Sequence, residues 1–234
     1  MVQDLSHSDN AKVLATLLLL ILDLDEDKRK WENIQVVGGC HAIVQLVKNC
    51  IDKVIAIIPA CDFDKVTATG DLSELETIDK SLGLILSLTY HLGGRSVASI
   101  GGVEAVVKAM KTFPNCQALQ ETACCVLSNL LFCSIGQKKA LETDAMGVLL
   151  DALDNHLDAD TFCANACFTL HKIVAASKEN AELFISSGGV TTVANVREEW
   201  QHEDMSYVHE AVRKLMEPVV KQLSCWTQVK SVHT

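Results

Sequence analysis

Positive charge is scarce in this chain: 20 lysines and arginines stand against 30 aspartates and glutamates, a formal net charge of −10. A phosphate backbone or an anionic membrane surface would be repelled unless a local basic patch overrode that average. No such patch is present. The densest basic run, Lys28-Arg29-Lys30, follows Asp23, Asp25, Glu26 and Asp27 and reads as a solvated charged loop. Neither nucleic acid nor a membrane is therefore expected as a partner.

A bilayer-spanning run is lacking as well. The leucine-rich stretch Leu14 to Leu22 covers nine residues, less than half of the ~20 that cross a bilayer. It has neither a basic leader nor a small-residue cleavage site, so a core helix is expected there. Phosphate-cradling loops are missing too: Gly93-Gly94 and Gly101-Gly102 lack the preceding strand and the following Lys-Ser/Thr that such a loop needs. What is plentiful is apolar residues, 49% of the chain, and cysteine, ten residues. That composition is globular rather than disordered. The cysteines lie inside apolar helical stretches instead of loops, which points to a reducing compartment; cytoplasmic residence is expected, with the nucleus left open.

Self-similarity organises the rest. SIGGVEAVVKAM (99–110) aligns with ETDAMGVLLDAL (142–153) and SSGGVTTVANVR (186–197), spaced 43 and then 44 residues apart, and VVGGCHAIVQLV begins a further copy at Val36. Each copy opens on a Gly pair, or Asp144-Ala145, that permits a sharp turn or a close helix approach. Each then runs into a helix with apolar residues three and four apart, as in the stripe Val103, Val106, Val107, Met110. About 21 residues after each turn comes Ala, then Leu four later, then a variable residue two beyond. The instances are Ala123, Leu127, Asn129; Ala166, Leu170, Lys172; and Ala211, Leu215, Glu217, with Leu82, Leu86 and Leu88 as a looser copy. Ala and Leu share a helix face, so the small residue admits a neighbouring helix and the Leu fills the core. Segments 136–143 and 177–187 supply a third helix per unit. Three helices in some 42–45 residues exceed what a 34-residue helical pair would need.

The stretch ACCVLSNLL (123–131), preceded by Leu119, Gln120 and Glu121, together with the glycine turns at Gly38-Gly39, Gly101-Gly102 and Gly188-Gly189, resembles the armadillo-repeat family. The resemblance covers roughly residues 11 to 223; HEAT-type assignment of individual units stays open. It implies an all-α fold, a right-handed α-solenoid (an alpha-alpha superhelix) of about four armadillo-type repeats in a single domain, 1–234. The expected units are an N-terminal part-repeat at 11–35, then 36–91, 92–133, 134–176, and a C-terminal capping unit at 177–223 followed by a tail at 224–234. The second unit carries an insertion near 49–74, where Ile51 to Ile58 extends a helix to Pro59 and 61–71 is loop-like, either a binding loop or an indifferent surface loop. The last helix, 205–223, is expected to break at Pro218. The first helix, Val13 to Leu22, is apolar nearly all round and should be covered by an upstream repeat, a second copy of the chain, or the inserted loop.

The resemblance also implies a function: in armadillo proteins the third helices line a concave groove in which an Asn ladder grips an extended peptide and Trp residues sandwich its side chains. Here the Asn positions hold Asn129, Leu88, Lys172 and Glu217, and the Trp positions hold Leu84, Cys125 and Phe168. That departure argues against import-style binding of extended basic peptides. The expectation is a non-enzymatic module that holds a protein or peptide partner through Asn129, Cys125, Lys172, Phe168 and Leu88; the alternatives are a transport or chaperone-like adaptor gripping a client segment and, behind it, a metal- or redox-responsive helical protein using Cys163, Cys167 and His171.

Cofactors are not expected. Cys163, Cys167 and His171 lie at i, i+4 and i+8 with Cys124 on the preceding unit, a donor set suited to zinc. Three ligands over ~12 Å of helix rise cannot converge on one ion with ~2.3 Å bonds, so buried cysteines acting as small apolar residues account for the pattern. Cys124-Cys125 has no activating motif nearby. Asp158 with Asp160 and Glu198 with Glu199 are expected at helix starts or interhelix loops, where acids favour helix N-termini. Trp31 and Trp200 are expected either to pack at helix junctions or to anchor an interface.

Overall fold

The computed structural model describes residues 79, 82–83, 85–90, 93–201 and 205–232, with side chains as far as Gln222. The part-repeat at 11–35, Trp31, the first apolar helix, the insertion at 49–74 and Leu84 lie outside the described residues. Among the described residues all regular structure is helical.

Residues 85–90 are helical and precede three successive groups of three. The first comprises α1 (Gly94–Ser99), α2 (Gly102–Thr112) and α3 (Gln117–Leu130). The second comprises α4 (Ser134–Glu142), α5 (Ala145–Asn155) and α6 (Asp160–Val174). The third comprises α7 (Lys178–Ser186), α8 (Gly189–Glu199) and α9 (Ser206–Val232). Corresponding helices pack on one another: α6 lies between α3 and α9, α5 lies between α2 and α8, and α1 rests on α4. The chain is an α-solenoid, a stack built by translation of one unit.

The turn between first and second helices recurs because its backbone demands it. Gly101, Asp144 and Gly188 all take the left-handed conformation, φ 99°, 61° and 80°. Gly pays nothing for that conformation, and Asp is one of the few other residues that visits it. The residue after the turn approaches the preceding helix closely. A Cβ added at Gly102 would stand 2.8 Å from the Val97 carbonyl oxygen, and one at Gly189 would stand 2.4 Å from the Phe184 ring.

The predicted stripes are the core. Val103, Val106, Val107 and Met110 are buried, as are Ala123, Leu127, Ala166, Leu170, Ala211 and Leu215. Stacking is what buries much of this surface. Val103 and Met146, at the same register in the first two units, are 0% and 2% exposed, whereas Val190 in the third is 37% exposed. Likewise Met110 and Leu153 are buried and their counterpart is Arg197, which is exposed. The corresponding face of the third unit is thus partly polar where those of the first two are apolar.

Three expectations are corrected. The last helix does not break at Pro218 but runs through it to Val232. Proline there removes one N–H and costs ~3 kcal/mol, but Leu215, Val219 and Gln222 are buried on the inward side and hold the helix together. The backbone at 224–232, expected as a tail, is therefore helical. Finally, Glu198 and Glu199 end α8 rather than starting a helix, while Asp160 does open α6.

Candidate interaction surface

The third helices, residues 85–90, α3, α6 and α9, lie side by side and present a common face of partly buried and exposed residues. Helical periodicity explains which residues reach it. With Ala123, Leu127 and Leu130 turned to the core, Cys125, Ser128, Asn129 and Phe132 fall on the opposite side of α3 and its end. In α6 the same register places Asn165, Phe168 and Lys172.

Neighbouring helices are tied together across this face. The Asn129 side-chain amide donates to the Thr89 hydroxyl at 3.0 Å. The Lys172 ammonium donates to the Ser128 carbonyl at 2.9 Å and to its hydroxyl at 2.7 Å. It also stands 3.6 Å from the centre of the Phe132 ring. The Lys214 ammonium lies 5.4 Å from the Phe168 ring centre and 3.6 Å from the Glu210 carboxylate. Near the start of α6, Asp160 accepts from the Tyr207 hydroxyl and, at 2.6 Å, from the Thr161 N–H. Each cation is thus shared between a ring and an oxygen, an arrangement that orients the ring while leaving its other surfaces open.

Partial burial lowers the Lys172 pKa, the nearby Cys124 thiol opposing this slightly. The Asp160 carboxyl titrates below its ordinary range because Tyr207, and then the Thr161 N–H, hydrogen-bond to it. Glu210 is brought down to about 2, chiefly by its hydrogen bond from Arg213, both Arg213 nitrogens approaching at 2.8 Å.

Of the residues expected here, Asn129, Cys125, Lys172 and Phe168 share the face, and the first and third are already engaged with neighbouring units. Leu88 is different: at 1% exposed it is a core residue and offers nothing to a partner. The sequence pattern matched it to Asn129, but Leu82, Ile85 and Leu88 are buried as Cys124, Leu127 and Leu130 are, so Leu88 corresponds to Leu130 and the alignment of this looser copy stands one residue out of register.

The sequence reading missed Phe132. It follows α3 by two residues and is 76% exposed, and Tyr90, in the helical segment 85–90, is 72% exposed. A repeat alignment carries the signal: Phe132, Ala175 and Val220 occupy one register, just past the ends of α3 and α6 and within α9, and all are exposed. A large aromatic at a register the core does not use has no packing reason to be there.

Among the described residues the thiols do not build a reactive centre. Cys124 and Cys163 are buried, and burial pushes them up to about 12 and about 11; Cys167 is raised by burial as well. Such thiols remain protonated at neutral pH and are poor nucleophiles and metal ligands. The Cys124 sulfur lies 3.4 Å from the Thr169 hydroxyl, and the Cys163 sulfur donates weakly to the His156 and Leu157 carbonyls at 3.5 Å. Among the described residues no three His, Cys, Asp or Glu side chains gather as metal ligands would. Trp200 packs at a junction, its indole N–H donating to the Leu157 carbonyl at 3.0 Å. No helix among the described residues is long and apolar enough to cross a membrane.

Comparison with known proteins agrees with this geometry. A family model described as the GAC ARM domain matches residues 93–221. A crystal structure of an engineered protein is similar over 94% of each chain with a TM-score of 0.58 and 14% identity, a likeness of fold alone. Among curated proteins nothing matches.

Proposed function

This chain belongs to the GAC ARM domain family, whose model spans more than half of it, and from that membership we propose that it is a non-enzymatic docking module that holds a protein partner on the face of its third helices. One observation carries the reading: Phe132, 76% exposed, is held by the Lys172 ammonium 3.6 Å from its ring centre. Exposed aromatics oriented by a neighbour contribute large contact area at low entropic cost, which is why aromatics dominate interface hot spots. Phe168, Lys172, Cys125 and Asn129 extend the same face, and Tyr90 flanks it; Leu88 has no part in it.

An adaptor that grips an extended client peptide needs free amide and ammonium donors along the groove. One N–H of Asn129 is given to Thr89 and two of Lys172 to Ser128, so both side chains are held by the neighbouring unit with only part of their donor capacity left, which favours a partner met through side-chain surface over one gripped by its backbone. The test is comparative capture from native extract with the wild type, Phe132→Ala, and the outer-surface control Lys108→Ala, all of matched thermal stability. A partner retained by the control and lost from Phe132→Ala supports the reading. Equal retention by all three removes it.

A further inference from the structure

A second site lies on another side of the stack, between the C-terminal halves of second helices α2 and α5. A cavity of about 400 Å³ opens there, walled by Met110, Pro114, Val148 and Ala152, with Gln120 from α3 and with Asp151 and Asp154 at its rim. Gln120 is wholly buried. Its side-chain amide N–H groups are committed, donating to the Met110 and Phe113 carbonyls at 2.9 Å each. Its carboxamide oxygen has no hydrogen-bond partner among the described residues. That oxygen can only accept, and the two N–H bonds fix which way round the amide sits.

Negative charge predominates around the cavity, two carboxylates, Asp151 and Asp154, against the one ammonium of Lys111. Asp151 and Asp154 are exposed, and one oxygen of Asp154 accepts from the Thr192 hydroxyl at 3.1 Å. The one cation in the lining, Lys111, has its ammonium on the Thr143 carbonyl at 3.2 Å, with Asp144 at 3.9 Å. Both α2 and α5 end here, so the negative poles of two helices add to the rim carboxylates.

We propose that this cavity receives an arginine side chain of a protein partner. An unpaired acceptor in the wall, carboxylates above it and two helix C-termini call for a cation that carries several donors. Guanidinium supplies these in a planar fork that can bond the exposed Asp151 carboxylate, while the Gln120 oxygen, covered within the wall, attracts it through its dipole alone, and the aliphatic stem of the arginine matches the Met110, Val148 and Ala152 walls. A lysine ammonium is a more strongly hydrated point charge and fits an apolar-walled cavity of this volume less well. The site is independent of Phe132 and Lys172.

The experiment is an NMR titration of the isotope-labelled full chain with N-acetyl-arginine amide at low salt, with the neutral citrulline analogue as its isosteric control. Saturable shifts in the millimolar range should converge on the Gln120 side-chain amide, Val148 and Ala152. They should be absent with citrulline, weakened about fivefold or more by Asp151→Asn, whose side chain is exposed and whose loss leaves the fold intact, and unchanged by Lys172→Ala. Shifts spread over the acidic surface without saturation, shifts equal for citrulline, or shifts indifferent to Asp151→Asn would each overturn the assignment.

Discussion

Truncating Leu127 to alanine strikes the packing between the first two described units. The side chain is wholly buried in α3, a helix that packs on α2 within its own unit and on α6 of the next. The change removes three carbons, worth about 2.4 kcal/mol at ~0.8 kcal/mol each, and leaves a cavity that adds to the loss; a total near ~3 kcal/mol sits within the usual range for buried leucine. At roughly 2–4 °C per kcal/mol for a chain of this size, the melting temperature should fall by roughly 6–12 °C. Because units are coupled only to their neighbours, weakening one unit should also broaden the transition. Urea and thermal unfolding followed by helical circular dichroism measure both. Phe132→Ala is the surface control, expected to cost under ~1 kcal/mol, the worth of an exposed cation–π contact. A loss below ~1 kcal/mol for Leu127→Ala, or equal losses for the two variants, would refute the assignment of α3 as the shared wall between units.

Gly189→Ala should destabilise by ~1–3 kcal/mol, because its Cβ would fall 2.4 Å from the Phe184 ring and that side chain, itself buried, would have to move; a neutral result in urea would show that the ring has room to shift. In thiol labelling of the native protein at pH 8, Cys124, Cys163 and Cys167 should stay unmodified until unfolding, since burial raises all three; rapid native labelling of any of them by mass spectrometry would contradict the packing. Glu210 has a folded pKa of about 2 against an ordinary 4.5, a depression, so its contribution is present above pH 4.5 and lost as pH falls toward 2. The pair is exposed and the contribution small, so the check is an NMR titration of Glu210, where a midpoint at the ordinary value would rule out the Arg213 bond.

Which parts were legible follows from how far each property reaches along the chain. The glycine turns and the Ala/Leu phase are local constraints: φ above zero admits few residues, and a helix returns to the same face every third or fourth position. Those marks placed Val103, Leu127 and Leu170 in the core before any coordinates, and every one is buried. Pro218 shows the limit. Its local preference is to stop a helix, and burial of residues on either side overrode it.

Exposure on the partner face lay beyond local rules, because it depends on what the adjacent unit brings. Leu88, aligned with Asn129 in the chain, stands with Leu130 in space and is sealed in the core, while Asn129 spans to Thr89. Lys172 reads as a free charge in the chain and is bound to Ser128 and set over Phe132 in space. The sequence alone determined that there would be a stack and which stripe each helix would bury, since both arise from spacing within a unit. Only the tertiary structure decided which side chains remain available to a partner, since that is settled by contacts between residues some forty positions apart.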